Sequence, residues 1–309
     1  MGRRAFASLA VVETLLAFGN TFAASFNMIY LFKHLGMPLW SGSIYLVLGF
    51  TISILASLWM SWRPRFDLSK AIIFSLAALC VEYLLFLFVD DGYILAVSVG
   101  VAFGLFYPFF WTPTNIWMAQ LTDKGDRGVK YGVIFFLWPL ATFIAPFLGG
   151  LMIGYVGYTV LYVVGMGILI ATAAVTYLSR DHIPAKQEMK INLGEVGWRN
   201  TVAVLGQGAF EGIFWLDLTI ISFGFLTDEK ELGALFSLFG LSAGIMGIIL
   251  GKVSDKIQNR ILFFRASAIA SVPCIFLIFQ AGTLEQFGVA SGLLEFAAYA
   301  LPVFIFAML

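Results

Sequence analysis

The amino-acid sequence predicts an all-α integral membrane protein with ten transmembrane helices. Of its 309 residues, 61% are hydrophobic and only 12% are charged, and the mean hydropathy is +0.94. The apolar runs are about 20 residues or longer, which is enough for a helix to cross a hydrocarbon core of ~30 Å. The predicted spans are residues 5–32, 38–60, 68–89, 93–119, 131–153, 157–178, 200–226, 232–251, 261–280 and 286–309.

The basic residues are sorted between the two sides that these spans create. With the N-terminus in the cytoplasm, sixteen of the eighteen Lys and Arg residues lie on the cytoplasmic side. Only Lys33 and Lys230 lie outside, where the loops are otherwise acidic. Because Lys and Arg are retained on the cytoplasmic side during insertion, the sequence predicts a multi-pass protein of the cell membrane, plasma or inner, with a cytoplasmic N-terminus.

Charge and motif content argue against several other classes of protein. The formal net charge is zero and its sign is sorted by side, unlike the basic surface of a nucleic-acid binder. The sequence contains no Walker loop, so ATP-driven pumping is not expected. Cys80 and Cys274 fall inside spans as packing residues, and His34 and His182 lie on opposite sides of the membrane. We therefore predict no metal, no cofactor and no enzymatic activity.

The order of the elements predicts two groups of helices. The first apolar run is too long for a signal peptide, so it is interpreted as an uncleaved helix. Residues 1–178 form a predicted N-terminal bundle of six helices, 179–199 a polar cytoplasmic linker containing Pro184, and 200–309 a C-terminal bundle of four. A charged linker between two helical halves is typical of an internally repeated transporter. The alternative is one undivided bundle with a long loop.

Two short motifs resemble a known family. The segment after the eighth span contains Gly251, Asp255 and Arg260, at the spacing Gly-x-x-x-Asp-x-x-x-x-Arg. In such a loop the Gly permits close helix approach, the Asp caps a neighbouring helix and the basic residues anchor the loop. The fifth span carries Ala145-Pro146-Phe-Leu-Gly149-Gly150. Both resemble signatures of the major facilitator superfamily; the alternative for the first is an ordinary basic loop.

The resemblance implies an architecture of two six-helix bundles that rock around a central cavity. It gives gating or signature roles to Gly251, Asp255, Arg260, Pro146, Gly149 and Gly150. The family has twelve helices, so ten spans predict a two-bundle architecture that lacks the last two helices, as in a C-terminally truncated chain. The corresponding loop of the first half, residues 61–67, departs from the signature because it lacks the Gly and the well-placed Asp.

The same resemblance places the first, fourth, seventh and tenth spans around the cavity, and these spans carry polar residues within the membrane. Such groups are costly in lipid, so they should face a cavity or one another. The candidate substrate- or proton-binding residues are Glu13, Asn20, Asn27, Trp111, Asn115, Gln207, Glu211, Trp215 and Glu295. Seven-residue spacing puts Glu13, Asn20 and Asn27 on one helix face.

Among the carboxylates, Glu211 is the leading proton or cation site and Glu295 the next. The alternative is a permanently neutral Glu that shares a hydrogen bond between helices. Glu82, on the third span, is interpreted as a snorkelling or packing residue.

These residues predict the class of substrate. A cavity with acids and no deep Lys or Arg disfavours anionic solutes, which need basic partners. We predict a secondary active transporter that works by alternating access, coupled to protons, with a cationic, amphiphilic, drug-like substrate. Efflux and uptake both stay open. The alternatives are a transporter of a neutral, sugar-like solute and, in another class, a non-transporting membrane sensor or assembly partner on the same scaffold.

Overall fold

The computed structural model describes residues 2–62, 66–122, 127–183, 218–254 and 260–298. The chain in these ranges is built from helices. They are α1 (Gly2–Ala24), α2 (Ser41–Ser61), α3 (Leu68–Phe88), α4 (Gly92–Leu121), α5 (Arg127–Val156), α6 (Tyr158–Leu178), α7 (Glu229–Ser254), α8 (Arg260–Gln280) and α9 (Leu284–Ala298). Short helical segments follow α1 and α6, and residues 218–225 are helical.

Six helical stretches of the described chain are long and apolar enough to cross a membrane. They are Arg3–His34, Ser41–Ser61, Leu68–Phe88, Gly92–Leu121, Phe136–Val156 and Tyr158–Leu178. The predicted count of ten is therefore not confirmed. Helices α7, α8 and α9 occur where the eighth to tenth spans were predicted, but α9 has 15 described residues, about 22 Å of helix. Most of the predicted seventh span lies outside the described residues.

Aspartates begin three of the helices. Asp67 accepts a hydrogen bond from the backbone amide of Lys70 at the start of α3 (3.2 Å). Asp91 accepts from the backbone amide of Ile94 at the start of α4 (2.9 Å), and Asp228 accepts from that of Lys230 at the start of α7 (2.9 Å). The first amides of a helix have no partner within the helix, so an Asp placed just before an apolar run satisfies them and fixes where the helix starts.

The first span is interrupted near its predicted outer end. Helix α1 ends at Ala24, residues 25–26 form a turn, Asn27–Ile29 is helical again, and Tyr30–His34 is a π-helical turn. At the turn, the Ser25 hydroxyl donates to the Thr21 carbonyl (2.7 Å). A side-chain donor of this kind competes with the backbone N–H for the helix carbonyl. Asn27 thus follows a break in the helix that carries Glu13 and Asn20, and the shared face of the three residues stays a prediction.

The chain forms two compact units that interleave along the sequence. The first comprises Met1–Val12, Phe26–Leu121 and Tyr162–Gly224, and within it α4 packs along both α2 and α3. The second comprises Glu13–Ser25, Thr122–Leu161 and Phe225–Leu309, and within it α7 packs along α5 and α9. The predicted boundaries at 178 and 200 stay a prediction, and residues 184–199 of the predicted linker lie outside the described residues.

Candidate functional site

Helix α1 carries the acidic candidate that the structure describes in full. The Glu13 side chain is buried, with 7% exposed, about 15 Å along the helix axis from Arg3. Among the described residues, no Lys or Arg forms an ion pair with it. Asn20, two turns further along the same helix, is partly exposed. A carboxyl group inside an apolar span without a described cation is a functional candidate by default.

Asn27 lies in a different environment from Glu13. Its side chain is 2% exposed, and its Nδ2 donates a 2.7 Å hydrogen bond to Oε1 of Glu82 on α3. The Tyr45 hydroxyl, on α2, donates to the same oxygen at 3.3 Å. Glu82 itself is 0% exposed, so its snorkelling interpretation is wrong. These three residues form what we name the Glu82 cluster, within the first compact unit.

Helix α4 positions Trp111 and Asn115, which lie one turn apart and are both partly exposed. The helix contains Pro108 and Pro113 in its interior. Beside Pro113, the Thr114 hydroxyl donates to the Phe110 carbonyl one turn earlier (3.0 Å), so this polar group is satisfied within its own helix.

An aromatic column extends along the same helix. Phe103, Phe106, Tyr107, Phe110 and Trp111 follow one another at the spacing of adjacent turns. Trp111 meets the Phe110 ring edge-on with 5.5 Å between centroids, and the Tyr107 ring lies 6.3 Å from it. Sequence reasoning selected Trp111 but not the other rings of this column, although their recurrence at three and four residues was visible.

The signature on α5 lies at a close contact with α7, within the second compact unit. A Cβ added to Gly150 would meet the backbone carbonyl oxygen of Glu229, and one added to Gly233 would lie 2.5 Å from the Pro146 carbonyl. At Gly240 the nearest atom would be the Phe143 backbone nitrogen, at 2.8 Å. The two backbones thus touch where side chains are absent, and we name this contact the glycine seam. Small residues allow such approach between membrane helices.

Polar groups complete the glycine seam. The Phe147 backbone amide donates to the Ser237 hydroxyl at 3.0 Å. The Tyr158 hydroxyl donates to Oε1 of Glu229 at 3.2 Å, and the Lys230 ammonium lies 4.0 Å from the centre of the Tyr155 ring. Gly149, the remaining member of the α5 motif, is buried. The α5 motif therefore lies at a backbone contact with α7, and its gating role stays a prediction.

The other candidates are described only in part or not at all. Gln207, Glu211, Trp215 and Asp255 lie outside the described residues. Gly251 is in the last turn of α7, and Arg260 is the first residue of α8. Glu295 is in α9, one turn after Ser291, whose side chain is buried. The structure therefore leaves the roles of these residues as predictions.

An open groove of about 440 Å³ lies between α2, α3 and α4. Its lining includes Ile52, Leu55, Trp59, Phe74 and Phe109, and all of its residues are apolar. Such a lining offers no group to orient a polar solute, so we do not include this groove in the candidate site. No cluster of metal-binding side chains occurs among the residues that the structure describes.

Comparison with known proteins supports the family resemblance. Residues 9–309 match the sequence model of the Major Facilitator Superfamily. Over 155 residues the chain is 27% identical to "Uncharacterized protein YqgE" of Bacillus subtilis (strain 168), a match that covers 47% of this chain and 35% of that protein. The chain thus matches about a third of the length of this relative. Because the family match covers nearly the whole chain, and the described residues form helices with apolar spans, the protein belongs to the Major Facilitator Superfamily of membrane transporters.

Proposed function

We propose that this protein is a proton-coupled secondary transporter that moves a cationic, amphiphilic solute by alternating access. The observation that carries the proposal is Glu13, a buried acid on an apolar span with no ion-pair partner among the described Lys and Arg residues. Such a carboxyl group binds either a proton or an organic cation, and competition between the two couples their movements. The positive-inside bias supports a cytoplasmic N-terminus in the cell membrane.

The aromatic column on α4 supports an amphiphilic cation as the substrate. Trp111 is partly exposed and continues a run of tilted and edge-on rings. The face of an indole ring attracts cations through its quadrupole and also offers a large apolar surface. Asn115, one turn further along, supplies an amide that orients polar groups of the solute.

Glu211 and Glu295 extend the same proposal from the sequence. Both belong to spans that, like α1 and α4, carry polar residues within an apolar run. We assign Glu211 as the principal proton or cation site, with Glu295 second and Glu13 as the acid nearer the cytoplasm.

The test is transport by the full-length protein in proteoliposomes, with ethidium as an aromatic cation and an imposed pH gradient. We expect gradient-driven ethidium flux in the wild type, its loss in Glu211→Gln, and a strong reduction in Glu13→Gln. The control is Glu285→Gln, because Glu285 is exposed at the start of α9 and should leave the flux unchanged. Normal gradient-driven flux in Glu211→Gln and Glu13→Gln together would overturn the assignment.

A neutral solute is the second candidate, favoured by the partly exposed amides of Asn20 and Asn115. A thermal-shift screen with sugars, amino acids and organic cations at acidic and neutral pH separates the two. Stabilisation by a bound ligand follows RT ln(1 + [L]/Kd), so weak ligands register at high concentration. A pH-independent sugar ligand would favour the neutral substrate, and binding without flux would favour the non-transporting sensor.

A further inference from the structure

The Glu82 cluster joins three separate helical elements through one carboxyl oxygen. Asn27 from the interrupted first span and Tyr45 from α2 both donate to Oε1 of Glu82 on α3, at 2.7 and 3.3 Å. The three side chains are 2%, 6% and 0% exposed. The cluster is therefore sealed from solvent, and its hydrogen bonds must be satisfied from within the protein.

Two oxygen atoms of the cluster lack a hydrogen-bond donor. Among the described residues, Oε2 of Glu82 and Oδ1 of Asn27 are both buried and have no hydrogen-bond partner. Both atoms are acceptors when Glu82 is ionised. Each of these two oxygens has lost its hydrogen bonds to water on burial and has gained no donor from the protein. Such unsatisfied acceptors destabilise the folded state.

Among the described residues, no Lys, Arg or His forms an ion pair with Glu82. The Tyr45 phenol on α2 donates to Glu82, and Tyr83 follows Glu82 on α3. The ring of Tyr162 on α6 packs against both Tyr83 and Tyr30 of the π-helical turn. Phenols are neutral at physiological pH. Helix α4, which packs along α3, carries no Asp, Glu, Lys, Arg or His. His34 contacts the Tyr30 ring, 4.6 Å away between centroids.

We propose that Asn27, Tyr45 and Glu82 form a proton-binding site in which Glu82 holds a proton on Oε2. A carboxylic acid and a carboxamide pair through two parallel hydrogen bonds, N–H to the acid carbonyl and O–H to the amide carbonyl. The first of these bonds is present between Asn27 and Glu82. One proton on Oε2 converts the two unsatisfied acceptors into the donor and acceptor of the second bond.

The proposed site includes none of the acids Glu13, Glu211 and Glu295, and the inference does not rest on the proposed function. Its proton acts as a structural ligand that ties Asn27, the first residue after the break in the first span, to α2 and α3. Release of the proton would leave a buried negative charge beside that break. The segment Asn27–His34 is then the part of the protein whose packing depends on the proton.

Infrared spectroscopy of the full-length protein tests the proposal directly, since a protonated carboxyl group has a carbonyl stretch distinct from that of a carboxylate. At neutral pH we expect a carboxylic-acid band in the wild type that is lost in Glu82→Gln. Glu285→Gln should leave that band unchanged, because Glu285 is exposed. A neutral-pH spectrum without any Glu82-dependent acid band would overturn the proposal.

Tyr45→Phe keeps the test decisive if Glu82→Gln fails to fold. This variant removes one donor from Oε1, the carbonyl oxygen of the acid, so the band should shift in frequency while keeping its intensity. An unshifted band would contradict the assignment. Thermal unfolding gives an independent measurement, because a proton held by the folded protein and released on unfolding makes stability fall as pH rises. This slope should be less steep in Glu82→Gln than in the wild type, and an equal slope would contradict the proposal.

Discussion

The Glu82 cluster and the glycine seam are both buried contacts between helices, but the first is made by polar side chains and the second by backbone atoms. In the cluster, three long polar side chains meet at one carboxyl oxygen. In the seam, α5 and α7 meet backbone to backbone because Gly150 and Gly233 have no side chains. Lipid removes most of the hydrophobic driving force between membrane helices, so close packing and hydrogen bonds hold them together.

The difference predicts which substitutions each contact tolerates. The cluster depends on hydrogen-bonding capacity, so it should accept a neutral isostere and reject an apolar residue of similar size. The seam depends on the absence of volume, so it should reject even one methyl group. Four substitutions, taken from the largest expected effect to the smallest, test this distinction.

Glu82→Leu should have the largest effect. It leaves the Asn27 amide and the Tyr45 hydroxyl buried without their acceptor, and each such group costs about 1–3 kcal/mol. We expect the free energy of unfolding in detergent to fall by about 2–6 kcal/mol relative to the wild type, the sum for the two groups. Glu82→Gln, which keeps an acceptor, is the matched control. Equal stability of the two variants would show that hydrogen bonds do not hold this contact.

Gly150→Ala should come next. Its new methyl group would meet the Glu229 carbonyl oxygen, a backbone atom that cannot move aside by changing rotamer. Overpacking of this kind costs about 1–3 kcal/mol, measurable as a lower unfolding temperature. The control is Gly167→Ala on α6, where a Cβ would have nothing within 4 Å. There the higher helix propensity of Ala should leave stability unchanged or slightly raised. If both variants behave alike, the seam is not close-packed.

Asp67→Ala compares the partly exposed carboxyl group that caps α3 with the buried carboxyl group of Glu82 within that helix. Partial burial raises the pKa of Asp67, but hydrogen bonds from the Lys70 amide and from Ser69 outweigh it and hold the pKa below its ordinary value of 3.8. Its stabilisation is therefore present above pH 3.8 and is lost as pH falls through the lower folded pKa. We expect Ala to cost about 1 kcal/mol at neutral pH.

Asp67→Ser is the control for this helix cap, because a serine oxygen accepts the same backbone hydrogen bond. Thermal unfolding of both variants across acidic pH makes the measurement. The Ala variant should lose the acid-dependent part of the wild-type curve that Asp67 contributes. If Asp67→Ala keeps the full acid dependence of the wild-type unfolding temperature, that dependence comes from another carboxyl group.

Tyr45→Phe should have the smallest effect. It removes the longer of the two hydrogen bonds to Glu82, at 3.3 Å, and leaves the Asn27 bond in place. Side-chain hydrogen bonds within membranes average about 0.6 kcal/mol, so the unfolding free energy should fall by about that amount. Tyr93→Phe is the control, since the Tyr93 ring is half exposed. A loss as large as that of Glu82→Leu would mean that Tyr45 is the principal donor.

Local features of the fold were predictable from the sequence. Apolar runs located the described spans to within a few residues, and the positions of Asp67, Asp91 and Asp228 just before such runs indicated helix starts. The break at residues 25–26 was not predictable, because no Pro or Gly marks it and the seven-residue spacing of Glu13, Asn20 and Asn27 favoured an unbroken helix.

The contacts of the candidate residues were harder to predict, because they join distant parts of the chain. Asn27 and Tyr45 are 55 and 37 residues from Glu82, and no local pattern links them. A single Glu in an apolar span suggested packing or snorkelling, since its partners become visible only once three helices are assembled. The glycine motif on α5 was recognisable, whereas its partner glycines on α7 could be matched to it only in three dimensions.

The two prolines of α4 give this helix uneven mechanical stiffness. Pro108 and Pro113 have no backbone N–H, so the carbonyls of Gly104 and Phe109 lose the donors that a regular helix provides. Bending at those points breaks fewer hydrogen bonds than it would elsewhere in the 30-residue helix. The part of α4 that carries the aromatic column should therefore bend at a lower energetic cost than the two ends of the helix.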